Sequence, residues 1–154
     1  MSPGHVLLVI AVALLVSSQS IADDFSCRDN VECSALMPRE DVIQQVQDIG
    51  TAMRSGSCLT LAEFVRFPFV INYPKQPSRS LWNRTAFCRY YSAIFDDSRT
   101  NAFLEGRLDD TPVGYRGLHF RRSGVWLQPV CPGVSPQADC PHSELRLKLV
   151  SVNL

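Results

Sequence analysis

The chain has 154 residues, of which 45% are hydrophobic and 19% charged. That balance excludes a wholly disordered polypeptide and suits one domain of ordinary size. Lys and Arg number 15 and Asp and Glu number 15, a formal net charge of zero, which lacks the basic surplus that nucleic-acid binders use to neutralise phosphates. Nucleic acid is therefore not an expected partner.

Val6–Val16 (VLLVIAVALLV) is an unbroken apolar run, much shorter than the roughly 20 residues that a membrane-spanning helix needs. It has the length of a signal peptide's apolar region, and Ser20-Ile21-Ala22 puts small residues where cleavage reads them. No Lys or Arg precedes the run, so the amino terminus and His5 supply the positive flank. Residues 1–22 are expected to be a signal peptide and residues 23–154 a single exported domain, periplasmic or secreted, with no stable membrane anchor after cleavage.

Export decides how the cysteines read. Cys27, Cys33, Cys58, Cys88, Cys131 and Cys140 are an even set in a chain bound for an oxidising compartment, which predicts disulfides. Many pairings are open to six cysteines, and sequential pairing is the simplest. Cys27 and Cys33 bracket a short polar loop, and Cys131 and Cys140 bracket PGVSPQAD, which has too little apolar content to hold itself in place. There is no C-x-x-C and no His-rich cluster, so no metal or other cofactor is expected.

Pro38–Met53 reads as the first helix. Pro38 suits a first helical position, Glu40 and Asp41 complement the positive end of the dipole, and Val42, Ile43, Val46, Ile49 and Met53 recur at helical spacing. Gly56 ends it. Thr60-Leu61-Ala62-Glu63 fits a capping box and predicts a short second helix over Leu61–Arg66. Pro68 stops that helix, Phe69–Tyr73 reads as a first strand, and Pro74–Pro77 as a loop. Asn83 is a good N-cap for a third helix, with Phe87, Tyr90, Tyr91, Ile94 and Phe95 on one face. Such a stripe can line a ligand box, but its spacing is what packing against a sheet requires by itself. Asp96-Asp97-Ser98 interrupts the pattern, and a short helix through Ala102-Phe103-Leu104 ends at Gly106.

Beyond Val113 the period becomes two. Val113–Arg121 and Gly124–Val130 read as strands joined by a tight turn at Arg122-Ser123-Gly124. Leu118, Phe120, Val125 and Leu127 then share an apolar face, and Tyr115, His119, Trp126 and Gln128 share the mixed opposite face. Leu145, Leu147 and Leu149 alternate with Arg146 and Lys148 in a last strand. The expected fold is α+β, with N-terminal helices packed on a curved antiparallel sheet stapled by disulfides.

The order of elements resembles the nuclear-transport-factor-2-like superfamily, a cone of curved sheet wrapped around helices. It is more closely similar to a group of small secreted bacterial members. The resemblance is carried by LAEFVRFPFVIN (Leu61–Asn72), where a short helix runs through a proline into a strand. NRTAFCRYYSAIF (Asn83–Phe95) and the hairpin YRGLHFRRSGVWLQPVC (Tyr115–Cys131) carry the rest. Coverage runs from about Pro38 to Asn153. These are packing and turn residues, so the resemblance implies a fold, and the superfamily hosts isomerases, dehydratases, transporters and binding domains alike.

Catalytic signals are sparse. Enzymes resembling this fold place an acid/base residue inside the cone, which makes His119, aided by Tyr115, the alternative pair for an isomerase or lyase. His142 follows Cys140-Pro141 in a loop, where a solvated role is expected. Asp96-Asp97 and Asp109-Asp110 sit beside helix ends and a proline-containing turn, where capping and solvation account for them. No G-x-S-x-G, H-E-x-x-H, P-loop or G-x-G-x-x-G pattern occurs. Asn83-Arg84-Thr85 has the form of a glycosylation sequon, but Asn83 is wanted as a cap. Arginines outnumber lysines 13 to 2, and Arg116, Arg121 and Arg122 gather at the hairpin, where rigid guanidinium forks suit an anionic partner.

The expected function is that of an exported, non-enzymatic binding protein of the cell envelope. It would act as an inhibitor or immunity protein against a periplasmic enzyme or toxin, or hold a small anionic or hydrophobic ligand. Tyr115, Arg116, His119, Arg121, Arg122, Trp126 and Gln128 are the expected contact residues. A part in a larger secreted assembly, without a ligand of its own, is a further reading.

Overall fold

The computed structural model describes residues 26–110, 113–114, 117–132 and 140–154. The expected signal peptide therefore lies outside the described residues, as do Tyr115 and Arg116. Among the described residues there are five α-helices and six strands: α1 (Asn30–Ala35), α2 (Arg39–Arg54), α3 (Cys58–Ala62), β1 (Val65–Tyr73), β2 (Gln76–Leu81), α4 (Arg84–Ile94), α5 (Asp97–Leu104), β3 (Val113–Gly114), β4 (Gly117–Phe120), β5 (Val125–Val130) and β6 (Arg146–Asn153). The strands form one open sheet in the order β2-β1-β6-β5-β4-β3. The fold is α+β, as its periodicities predict, but the sheet is mixed. β1 and β6 run parallel, where an all-antiparallel sheet was expected, and the other neighbours pair antiparallel.

Helix starts follow the local chemistry. The Asn83 side chain accepts a hydrogen bond from the Ala86 amide, and Asp96 does the same for Arg99, so α4 and α5 begin where their caps put them. α2 follows Pro38 with Glu40 and Asp41 in its first turn. α3 corrects the sequence reading. Its cap is Ser57, which accepts from the Thr60 amide, so the helix starts at Cys58 and is over by Ala62. The chain released there enters β1 at Val65, opposite Leu149, and continues through Pro68. α1 is a second correction, because Asp29 caps a helix inside what the sequence offered as a polar loop.

β2 occupies a stretch expected to begin as a loop. Five of its six residues are exposed, so it carries none of the alternation that marks a half-buried strand. It is an edge strand tied back by Arg79, whose guanidinium bonds the Tyr90 hydroxyl at 2.6 Å and lies over that ring. The expected strand Val113–Arg121 is instead divided: β3 folds back on β4, pairing Gly114 with Gly117. Gly117 has φ +103°, and a Cβ there would lie 2.1 Å from the Leu127 carbonyl oxygen, so only glycine fits the reversal.

One hydrophobic core lies between the helices and one face of the sheet. Leu118, Phe120, Val125 and Leu127 are all buried, together with Leu145, Leu147, Leu149 and Val152. From the helices come Val42, Ile49, Met53, Leu61, Phe87, Ile94 and Phe103. Phe87 meets Phe69 edge-on at 5.4 Å between centroids, and Phe103 meets Phe120 at 4.6 Å. The aromatic stripe of α4 is thus a packing face. Three disulfides close in sequence order, Cys27–Cys33, Cys58–Cys88 and Cys131–Cys140. The second clamps α3 to α4 across 30 positions of sequence, a constraint on the unfolded chain worth about 3 kcal/mol.

A salt-bridge network anchors the N-terminal end. Glu32 is 1% exposed and accepts from the Arg28 side chain, the Arg28 amide and the Arg39 amide. Those bonds, the Arg28 guanidinium foremost, hold its carboxyl below the usual glutamate range. Arg39 in turn bridges Asp29 and Asp109, so the α1 region, α2 and the segment before β3 share one set of charges.

Candidate functional site: a groove on the outer face of the sheet

The face of the sheet turned away from the helices carries an open groove of about 530 Å³, lined by Arg66, Pro68, Val70, Asn72, Trp126, Gln128, Val150, Ser151 and Asn153. Three strands build it. β1 contributes alternate residues from Arg66 to Asn72, while Phe69 and Ile71 between them are buried in the core. β5 contributes Trp126, set between buried Val125 and Leu127, and Gln128 on the far side of Leu127. β6 contributes two consecutive residues, Val150 and Ser151, because a bulge separates the pairs Trp126–Ser151 and Leu127–Leu149.

A second irregularity shapes the groove. Val65 pairs with Leu149 and Val70 with Ser151, so residues 66–69 of β1 stand where β6 has Val150. Pro68 lies in that interval and brings no amide hydrogen to the ladder. The extra length of β1 puts Arg66 and Pro68 on the groove wall.

The two ends differ in chemistry. At one, Arg66 reaches the Gln128 side-chain oxygen at 3.5 Å, a long and weak hydrogen bond. At the other, the Asn72 amide donates to Asn153 at 2.9 Å and its oxygen accepts from Ser78 at 2.8 Å. Pro68, Val70 and Val150 are apolar surface between them. No carboxylate lines the groove among the described residues.

Trp126 links the groove to the hairpin. It pairs with His119 across β4 and β5, and the two rings stack at 4.2 Å between centroids and 4° between planes. One face of the indole is thus covered by imidazole. The His119 Nε2 is buried without a hydrogen-bond partner among the described residues. Burial, and secondarily the positive charge of Arg121, lowers its pKa below the ordinary histidine value, so the imidazole is neutral at pH 7.

Of the residues singled out from sequence, His119, Trp126 and Gln128 stand together on this outer face. Arg121 and Arg122 occupy the exposed β4–β5 turn, where Arg122 pairs with Glu105 at 3.3 Å and Gly124 takes φ +70° beneath the Asn153 carbonyl. Neither lines the groove. The side chain of His142 lies outside the described residues. Sequence reasoning passed over Arg66, Pro68, Val70 and Asn72, whose period-two signal is visible only once β1 is begun at Val65. It also passed over Ser151 and Asn153, which lie past the last alternating leucine.

No cluster of His, Cys, Asp and Glu of the kind that holds a metal ion occurs among the described residues. No helix among them is long and apolar enough to cross a membrane, and the three disulfides fit a chain that folds in an oxidising, extracellular setting. No family model, curated protein or solved structure matches the chain.

Proposed function

We propose that the protein is an exported, non-enzymatic binding protein of the cell envelope, periplasmic or secreted, that holds a small ligand in the outer groove of its sheet. The reading includes membership of the nuclear-transport-factor-2-like superfamily, supported by the short helix that leads directly into β1, with Pro68 inside that strand, and by the glycine-bounded hairpin. Export is supported by the apolar run Val6–Val16 together with the disulfides.

The observation that carries the binding role is the groove's composition. It joins apolar floor, an indole held in place by a stacked imidazole, and a few convergent polar groups, within the volume range of small-molecule sites. The alternative of an isomerase or lyase using His119 and Tyr115 has less support. Among the described residues the charge acting on His119 is that of Arg121, and its ring meets Trp126 rather than a carboxylate.

The test is titration with the uncharged, environment-sensitive dye N-phenyl-1-naphthylamine. Saturable one-to-one enhancement is expected, lost in Trp126→Ala while the melting temperature stays within a few degrees of the parent. Enhancement that survives Trp126→Ala, or none in the parent protein, overturns the reading.

A further inference from the structure

The groove has a charge that nothing in its lining answers. Arg66 is exposed at one end, with the 3.5 Å bond to Gln128 as its polar contact. Four other arginines meet acids, Arg28 with Glu32, Arg39 with Asp29, Arg84 with Glu63 and Arg122 with Glu105, while Arg79 meets a tyrosine hydroxyl and Arg99 backbone carbonyls. Arg66 instead overlooks Pro68, Val70 and Val150, and beyond them Trp126.

We infer that the groove takes a small organic anion with a flat apolar body, its acid group on Arg66 and its body across Val70, Val150 and Trp126. This rests on the binding role proposed above for the same groove. A guanidinium presents parallel N–H donors that match a carboxylate, sulfonate or phosphate in two-point geometry. A cationic ligand meets repulsion with no acid in the described lining to offset it, and a purely apolar one leaves the donors unused. The amides of Asn72 and Asn153 already bond each other and Ser78, so they are less available than the guanidinium to fix a ligand's polar end.

Charge also decides against a second copy of the chain as occupant. A two-fold interface sets one patch against itself and needs that patch to be self-complementary. A groove with a cation and no carboxylate among its described residues cannot supply its own counter-charge.

The experiment uses two dyes with one ring system: 8-anilinonaphthalene-1-sulfonate, which is anionic, and N-phenyl-1-naphthylamine, which is not. The chain has two tryptophans, and Trp82 is 72% exposed, so Trp82→Phe leaves Trp126 as the single reporter. Both dyes should quench Trp126 saturably, with the sulfonate bound about tenfold more tightly, as a charge-assisted hydrogen bond implies. Arg66→Gln should erase that advantage by weakening the sulfonate much more than the uncharged dye, and Arg66→Lys, which keeps the charge without the fork, should retain part of it. Equal binding of the two dyes, or a sulfonate advantage that survives Arg66→Gln, overturns the anion assignment while leaving the groove a binding site. Failure of both dyes to quench Trp126 overturns the assignment and the binding role together. A dimer in sedimentation that dissociates on Trp126→Ala, with neither dye bound, overturns them in favour of a second copy.

Discussion

Trp126 and Leu127 are neighbours in one strand, and their side chains meet different surroundings. Leu127 is fully buried among the leucines of the inner face, while Trp126 is half-buried against His119 at the groove. Arg39 and Arg66 differ in the same way. Arg39 is held by two carboxylates, whereas Arg66 has an amide oxygen at long range. Where partners are complete, a residue serves the fold. The outer face retains a ring and a guanidinium with capacity left over, and that is where a ligand can act without dismantling the core.

Breaking the inner face should have the largest effect. Leu127→Ala removes a side chain with no room to relax and is expected to cost about 2–5 kcal/mol in chemical denaturation. Trp126→Ala, one position away, should cost less than half as much. Equal losses would mean that the two faces are not energetically distinct.

Next is the N-terminal charge network. Glu32 and Asp29 titrate below their ordinary values, Glu32 chiefly through Arg28 and Asp29 chiefly through the Glu32 amide. Depressed carboxylate pKa values contribute stability that is present above the unfolded values and is lost as the pH falls through the folded ones. Melting temperature should therefore drop steeply below about pH 4, and Glu32→Gln should lower it at pH 7 while flattening that acid limb. An unchanged acid limb would remove Glu32 from the network's account.

His119 gives a smaller and separate effect. Its depressed pKa means that the unfolded chain binds a proton more readily, so stability is full above the ordinary histidine value of about 6.5 and declines as the pH falls below it. A shallow loss that sets in below about pH 6.5 should vanish in His119→Phe. The smallest change is expected from Arg66→Gln, within about 0.5 kcal/mol of the parent, because no folded-state ion pair is removed. A larger loss would place Arg66 in the fold rather than the site.

The bounds of α2, the start of α4 and the faces of the hairpin were legible because each is written locally. Asn83 and Asp96 cap their helices, α4 buries its aromatic stripe, and Leu118, Phe120, Val125 and Leu127 point inward as alternation requires. His119, Trp126 and Gln128 were legible for the same reason. β2 was not, since an exposed edge strand has no apolar rhythm, and α3 was misplaced because Ser57 and Thr60 are both competent caps.

By itself the amino-acid sequence determined the α+β class, the principal helices, the inner face of the hairpin and of β6, and a disulfide complement suited to export. Only the tertiary structure decided that β1 lies parallel beside β6, and hence that Arg66, Val70, Ser151 and Trp126 share one groove. The physical reason is that burial periodicity depends on neighbours along the chain, whereas strand partnership depends on which edges the packed helices leave open. A site assembled across three strands from opposite ends of the domain leaves no local pattern to read.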